Sequence, residues 1–384
     1  MAGSRILQTE YSTWIARDRH AHATDVLSNP VSVRIGRLLG IARPSTASKC
    51  LTCHSLEVPE GLQARTFANE GVSCESCHGP ASGWLGPHTT RGWTHAQSVQ
   101  AGMYDTKDLV KRTERCLTCH LGTADKYVDH EMIAAGHPDL VFDLEAFSAA
   151  MPRHWRAPAD TDPFAAVRAF SVGQLVHVRS GLERLARRVK GPVWPEYGEL
   201  DCFACHHSLT RPEDSWRQAD GYDGRRPGNP PVNQSRWATG RQVAAAYDAQ
   251  AAADLDPVMT KLALEASRLR VDGDQVVALV AQARGIFDRV IARAQTMQPD
   301  AAMATRLLHA IAADAETIAP RGERAAEQAA MAMDTLYAAS TRGGEESAAV
   351  RAAFDELFQQ FQSPSSYDPR RFVAQVRRID AAVR

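Results

Sequence analysis

The chain has 384 residues, enough for two or three domains of ordinary size. Its 44 lysine and arginine residues nearly cancel its 45 aspartate and glutamate residues, which argues against nucleic-acid binding because that function needs a basic surface. No apolar run approaches the roughly 20 residues that span a bilayer, so we expect no membrane span in this chain.

Two histidines, His20 and His22, lie in the first segment with helical character, which starts near Trp14. On a helix their side chains point about 200° apart, so only one of them can face a given metal ion. We expect His20 to be a metal ligand and His22 to have a structural role.

Four cysteine pairs share one pattern: two residues separate the cysteines, and a histidine directly follows the second one. The pairs and their histidines are Cys50/Cys53/His54, Cys74/Cys77/His78, Cys116/Cys119/His120 and Cys202/Cys205/His206. The pattern is typical of c-type haem attachment, because both thiols bond to the vinyl groups of one porphyrin edge and the turn places the histidine over the iron. The sequence therefore predicts four haem c groups, each with its motif histidine as the proximal iron ligand.

The same cysteines have alternative interpretations. They could form two zinc sites of four cysteines each, thioredoxin-like redox pairs or disulfide bonds. None of these needs a histidine after every second cysteine, so haem attachment is the favoured interpretation.

The sixth iron ligand decides whether a haem carries electrons or binds a substrate. Our candidates for this distal position are His20, His88, His130 and His137. The last two flank a segment whose predicted helix ends at Gly136, and seven helical residues rise about 10 Å, so they could serve different haems. His88 follows the second motif by ten residues, close enough to fold over a neighbouring ring.

A structural role or a contact with a haem propionate is favoured for the other histidines. These are His22, His95, His154, His177, His207 and His309. Met103, Met132 and Met151 are alternative axial ligands, although methionine more often serves in packing.

One long helix is predicted over Ala165 to Lys190, ended by Gly191-Pro192. An irregular linker follows the fourth motif, over residues 211–237. We place a tetrahaem domain at residues 1–240, because this part holds every cysteine and thirteen of the fourteen histidines.

Residues 241–384 are rich in alanine and carry apolar stripes at helical spacing. Prolines, including Pro257 and Pro369, are expected between these helices or at their first residues. The predicted fold is therefore mainly α, an irregular multihaem domain followed by an antiparallel helical bundle. The bundle is expected to act as a structural cap or docking surface.

Three stretches resemble the cytochrome c-554 family of tetrahaem cytochromes: Trp14 with His20-Ala21, the Cys50 motif, and the string Gly71 to Pro80. The resemblance covers about the first 140 residues. It implies a mostly helical fold around stacked haem pairs and a role as a periplasmic electron shuttle.

The resemblance also implies ligands. It assigns His20 to the haem at Cys74 and Cys77, and it suggests that the haem at Cys50 and Cys53 is five-coordinate. The family has a further motif just upstream of the tryptophan, which is missing here, and its counterpart of His88 serves that absent haem. The fourth haem here is therefore not the fourth haem of the family.

We thus expect an extracytoplasmic electron-transfer protein with bis-histidine haems, although Met1 to Glu10 lacks a signal-peptide core. Its partners would be other cytochromes or a membrane oxidoreductase, and it could form a homo-oligomer or a haem chain. The alternative is a reductase or oxidase for a small nitrogen or sulfur species at a five-coordinate haem.

Overall fold

The computed structural model describes residues 8–56, 58–63, 70–155, 162, 164–206, 229–300, 302–341, 346–362 and 366–383. Over these residues the chain is helical, with one isolated antiparallel bridge between Leu200 and Val232, so the predicted mainly α fold class is confirmed. The chain divides into two compact units. Unit 1 comprises residues 1–140 and 147–161, and unit 2 comprises residues 141–146 and 162–384.

Unit 1 is built from short helices joined by 3-10 turns. The helices are α1 (Glu10–Arg17), α2 (Pro30–Leu38), α3 (Ser48–His54), α4 (Cys74–His78), α5 (His95–Gln100), α6 (Leu109–His120) and α7 (His130–Ala134). The side chains of Asn29, Asp108 and Asp129 accept hydrogen bonds from backbone N–H groups at the starts of α2, α6 and α7. Such caps favour helices this short, which are marginal by themselves in water.

A short helix, α8 (Leu144–Ala150), spans the change from one unit to the other. The remaining helices belong to unit 2. They are α9 (Ala165–Val189), α10 (Ser235–Tyr247), α11 (Ala249–Ala266), α12 (Gly273–Thr296), α13 (Met303–Ala313), α14 (Ala315–Ile318), α15 (Glu323–Ser340), α16 (Ala348–Phe358) and α17 (Pro369–Ala382). The most extensive packing is that of α9 on α12, α11 on α12 and α13 on α15.

Large buried side chains are unevenly distributed between the units. Of the twelve largest fully buried side chains among the described residues, Leu121 alone lies in unit 1. Unit 2 buries Phe170, Phe287, Phe354 and Phe372, among others. Unit 2 thus has the side-chain core of an ordinary helical domain, and unit 1 has much less of one.

By its contacts, the segment between residues 162 and 240 groups with residues 241–384 in unit 2, and the domain boundary expected at residue 240 stays a prediction. Helix α9 packs on α10 and α12, so it belongs to unit 2 by its contacts. The fourth motif, which follows α9, lies in the same unit. In the described part of the chain, no helix is both long enough and apolar enough to cross a membrane.

Candidate functional site

Three of the four cysteine motifs form the last turn of a helix. Helices α3, α4 and α6 end at His54, His78 and His120. Gly79 (φ +73°) and Gly122 (φ +84°) follow α4 and α6 closely, and this left-handed conformation favours glycine and stops a helix. Each motif therefore holds its two cysteines within a single turn and its histidine at the helix end.

None of the eight cysteines forms a disulfide bond. Thiols of different motifs in unit 1 also approach each other: Cys119 lies within hydrogen-bond reach of Cys53, and Cys77 is close enough to Cys116 to interact electrostatically. Burial raises the pKa of Cys77 to about 12 and that of Cys116 to about 11. The three motifs of unit 1 are thus clustered, and the thiols of Cys77 and Cys116 are neutral near pH 7.

The first motif histidine, His54, faces His137. Their ring centroids are 6.4 Å apart, and the ring planes are inclined by 86°. The Nδ1 atom of His54 is 2.8 Å from the carbonyl oxygen of Ala23, and the Nδ1 atom of His137 is 2.8 Å from that of Pro138. With Nδ1 donating to a carbonyl, Nε2 is the nitrogen that can bind a metal ion.

The third motif histidine, His120, faces His20 at 6.1 Å between centroids and 86° between planes. The Nδ1 atom of His20 is 3.0 Å from Oδ1 of Asp18, a carboxylate that is 4% exposed. This hydrogen bond holds the pKa of His20 above its ordinary value. The backbone is tight here, because a Cβ on Gly71 would come within 2.4 Å of the His20 carbonyl oxygen.

The second motif histidine, His78, faces His154, with centroids 6.2 Å apart and planes inclined by 83°. The indole of Trp84 packs against His78, and that of Trp155 packs edge-on against His154. Two aromatic neighbours therefore fix the directions of this pair.

The spacing of these pairs is that of two imidazoles bound to one metal ion. A metal–imidazole bond is about 2.0 Å long, and a ring nitrogen lies about 1.1 Å from its centroid. Two rings on opposite sides of one ion thus have centroids about 6 Å apart. Burial lowers the pKa of His78 and His120 to about 4 and lowers that of His137 and His154 as well, so these rings are neutral and have a lone pair to donate at pH 7.

These features fit haem c as the group to be held. Each pair combines a motif histidine, two cysteines in the preceding turn and a second imidazole whose ring centroid lies 6.1–6.4 Å away. The sparse side-chain core of unit 1 also fits, because porphyrins supply apolar bulk that side chains otherwise provide. Among the described residues, no three Cys, His, Asp or Glu side chains form a set that could hold a bare metal ion.

The fourth motif, in unit 2, adopts a different local structure. Residues Cys202–Ala204 form a 3-10 turn, and the backbone N–H of His206 donates to the Cys202 carbonyl at 2.7 Å. Cys205 and His206 are exposed, and the ring of Phe203 packs edge-on against Tyr367. Residues 207–228 are outside the described part of the chain, so a role for His207 stays a prediction.

Two of the predicted distal ligands, His88 and His130, do not face His54, His78 or His120 in the contacts described above. His88 packs edge-on against Trp84, and its Nδ1 atom bonds to the carbonyl oxygen of Leu85. His130 is the first residue of α7. Iron ligation by His88 and His130 stays a prediction.

Four other histidines have polar partners. These are His22 with Asp25 and the Ile15 carbonyl, His95 with Asp105, His177 with Arg236, and His309 with Asp380. Both ring nitrogens of His22 lie within hydrogen-bond distance of these partners, and the structural role expected for it stays a prediction.

The structure differs from the sequence analysis at two histidines. The resemblance assigned His20 to the second motif, but His20 faces the histidine of the third. His154, to which we gave a structural role, faces His78 instead. Its sequence neighbours Arg153 and Trp155 form no metal-binding pattern, so only the tertiary fold identifies it.

Comparison with known proteins agrees with part of this picture. Residues 8–79 match the family described as cytochrome c554 and c-prime, while no curated protein and no solved structure matches the chain. The matched segment contains Trp14, His20 and the first two motifs, but it is shorter than the 140 residues expected. The predicted resemblance is confirmed over residues 8–79, and this segment is similar to c-type cytochromes, which bind haem c and transfer electrons.

Proposed function

We propose that this protein is a c-type cytochrome that holds four haems covalently and transfers electrons outside the cytoplasm. The observation that carries the proposal is the set of three facing imidazole pairs, each with a motif histidine as one member. When bound, each haem supplies a one-electron Fe(III)/Fe(II) couple.

The residues of the chain have distinct roles in this proposal. The thiols of Cys50, Cys53, Cys74, Cys77, Cys116, Cys119, Cys202 and Cys205 form the covalent attachments, and His54, His78, His120 and His206 are the proximal ligands. His20 and His137 are distal ligands. His88 and His130 are candidates for the distal positions that these two histidines do not fill. Backbone carbonyls and the Asp18 carboxylate orient the ligand rings through Nδ1.

The clustering of thiols supports exchange of electrons between sites. Cys53 lies next to Cys119, and Cys77 lies near Cys116, so the attachment points of the first and second motifs both adjoin the third. Electron transfer between redox groups is fastest when they are close. The closeness of these attachment points therefore favours transfer of electrons from haem to haem within the protein over haems that act separately.

The enzymatic alternative receives less support. It needs an iron with a vacant coordination position, and the resemblance pointed to the haem at Cys50 and Cys53. His137 faces the proximal histidine of that site at a distance suited to ligation. A six-coordinate first haem leaves no position for a substrate, so we favour an electron carrier.

Localisation and partners follow from the cofactor. Covalent haem attachment is completed outside the cytoplasm, so we infer export to the periplasm or the cell exterior. The donors and acceptors would be other cytochromes or a membrane oxidoreductase. Cell fractionation with haem staining tests this inference, and haem-loaded protein in the cytosol would contradict it.

Optical and EPR spectra with a redox titration test the function itself. We expect low-spin ferric haem at the three paired sites of unit 1 and midpoint potentials below those of methionine-ligated cytochromes. The protein should be reduced and reoxidised reversibly. High-spin iron as the dominant signal, or uniformly high potentials, would contradict the proposal.

A further inference from the structure

We propose that His154 is the distal axial ligand of the haem attached at Cys74 and Cys77, opposite His78. The inference rests on the proposed function, and it names a ligand that lies well beyond the segment similar to cytochrome c554 and c-prime. It also reassigns the haem that the resemblance gave to His20.

The first argument is the recurrence of one geometry. His78 and His154 have ring centroids 6.2 Å apart and planes inclined by 83°. In the other two pairs of unit 1 the ring centroids are 6.1 Å and 6.4 Å apart, and the ring planes are inclined by 86° in both. An edge-on contact between aromatic rings can adopt any centroid distance between about 4.5 and 7 Å. The three centroid distances agree to within 0.3 Å, and each pair joins a motif histidine to a second histidine. This agreement points to a requirement that the three pairs share.

The second argument is the way in which His154 is held. Its ring packs edge-on against the adjacent Trp155, with centroids 4.9 Å apart. The buried indole of Trp84 packs against His78, the other member of the pair, with centroids 6.2 Å apart. An indole thus packs against each member of the pair and shields part of its ring from water.

The third argument is that His20 is already used. It faces His120, and its Nδ1 atom is bonded to Asp18, which fixes its direction toward the third motif. One imidazole serves one iron, so the second motif needs a different distal ligand. His154 occupies that position.

The test compares variants of the full-length holoprotein produced with a complete haem-maturation system. In His154→Ala we expect one haem to change from low-spin to high-spin, as measured by EPR, with the haem content by intact mass unchanged. Added imidazole should restore the low-spin state. In the matched control His95→Ala, which removes a half-buried histidine near the same site, all spectra should stay those of the parent protein.

A double variant distinguishes the two assignments of His20. If His20 and His154 serve different haems, His20→Ala and His154→Ala each convert one haem and the double variant converts two. If His20 instead serves the haem at Cys74 and Cys77, His154→Ala converts no haem, the double variant converts only one, and the inference is overturned. It is also overturned if His154→Ala keeps its full haem content and stays entirely low-spin.

A conservative variant covers a folding failure of the alanine protein. His154→Met keeps a ligand at this position and should raise the midpoint potential of one haem, as methionine ligation does. An unchanged set of potentials in a fully loaded His154→Met protein would overturn the assignment. A parent protein without covalent haem would instead overturn the proposed function, so the two failures are distinguishable.

Discussion

The histidines of unit 1 that we propose as iron ligands differ in what holds their second ring nitrogen. His54 and His137 bond through Nδ1 to backbone carbonyls, whereas His20 bonds to the carboxylate of Asp18. A carboxylate draws the Nδ1 proton more strongly than a carbonyl does, so it makes the imidazole a stronger donor to a metal ion. An electron-rich ligand stabilises the ferric state and lowers the potential of its haem.

This difference predicts the effect of Asp18→Asn. The midpoint potential of one haem should rise by roughly 60 mV, which corresponds to a tenfold change in a one-electron equilibrium. Spectroelectrochemical titration measures the shift. Asp25→Asn is the matched control, because Asp25 bonds to His22 at the surface and should leave every potential unchanged. Equal shifts in both variants would contradict a specific role for Asp18.

The resemblance implies a five-coordinate haem at Cys50 and Cys53, whereas we propose His137 as its distal ligand. The variant His137→Ala distinguishes these two possibilities. If His137 is the distal ligand, the variant should convert one haem from low-spin to high-spin, and this iron should then bind added cyanide or imidazole. If that haem is five-coordinate in the parent protein, the spin state of the variant matches that of the parent. EPR of the oxidised proteins measures the difference.

At the residue scale, the sequence predicts what is local. The attachment motifs are recognisable in the sequence because two thiols and an imidazole lie within one turn. Helices α3, α4 and α6 each end at the motif histidine, as expected for this local pattern. Distal ligands are set by tertiary contacts between segments that are distant in sequence. His20 and His137 are therefore recognisable in the sequence as candidate ligands, whereas their positions opposite His120 and His54, and that of His154 opposite His78, depend on the tertiary fold.

At the scale of elements, α9 is held in unit 2 by a buried polar network as well as by apolar packing. Nε2 of Gln174 donates to the Asp143 carboxylate at 2.7 Å, and Oε1 of Gln174 accepts from the Thr239 hydroxyl at 2.8 Å. All three side chains are at most 1% exposed. Gln174 thus connects α10 to the segment before α8, and neither partner can turn to water instead.

Gln174→Ala should therefore lower the free energy of unfolding by about 3 kcal/mol, because a buried carboxylate loses a donor and a buried hydroxyl loses an acceptor. Urea unfolding followed by far-UV circular dichroism measures the change. The control is Gln275→Ala on α12, whose exposed side chain should contribute almost nothing. A loss below about 0.5 kcal/mol, the range of ordinary surface substitutions, would show that the network is dispensable.

The same network predicts a pH dependence. Burial raises the pKa of Asp143 above its ordinary value of 3.8. Between the ordinary pKa, which applies to the unfolded state, and the raised pKa of the folded state, the folded protein binds more protons than the unfolded one. The contribution of Asp143 to stability therefore falls as pH rises from about 4. Asp143→Asn should remove this decline, and unfolding of both proteins at pH 4 and pH 7 measures it. Identical pH slopes would contradict the argument.

Helix boundaries in unit 2 were predictable in part. The expected helix over Ala165 to Lys190 is confirmed as α9, because its apolar residues and its Gly191-Pro192 stop are local signals. Pro257 was expected between helices and instead lies inside α11. A proline there costs about 3 kcal/mol, which is offset by burial of Leu255 and Leu262 on either side of it. Tertiary packing has overridden a local preference.

At the scale of the whole molecule, the two units differ in how much apolar side chain they bury. This contrast predicts that unit 2 folds without cofactor and that unit 1 does not. In apoprotein made without haem maturation, limited proteolysis should cleave throughout residues 8–140 and spare α9 to α17. Holoprotein is the control and should resist cleavage in both units. A protease-resistant unit 1 in the apoprotein would contradict the prediction.

Cysteine and histidine positions do not determine which helices pack into one unit. Those positions suggested a haem domain up to residue 240, but α9 packs with the later helices and takes the fourth motif into unit 2. Helix α9 is buried over most of its length and packs on α10 and α12, whereas a motif of five residues does not decide which helices pack together.

The central claim is that the eight cysteines hold haem covalently. The most direct measurement is the intact mass of denatured protein that was purified from a host able to mature c-type cytochromes. The account predicts the mass of the polypeptide plus four haems, retained after acid extraction that removes non-covalent haem. A mass equal to that of the bare polypeptide would contradict it.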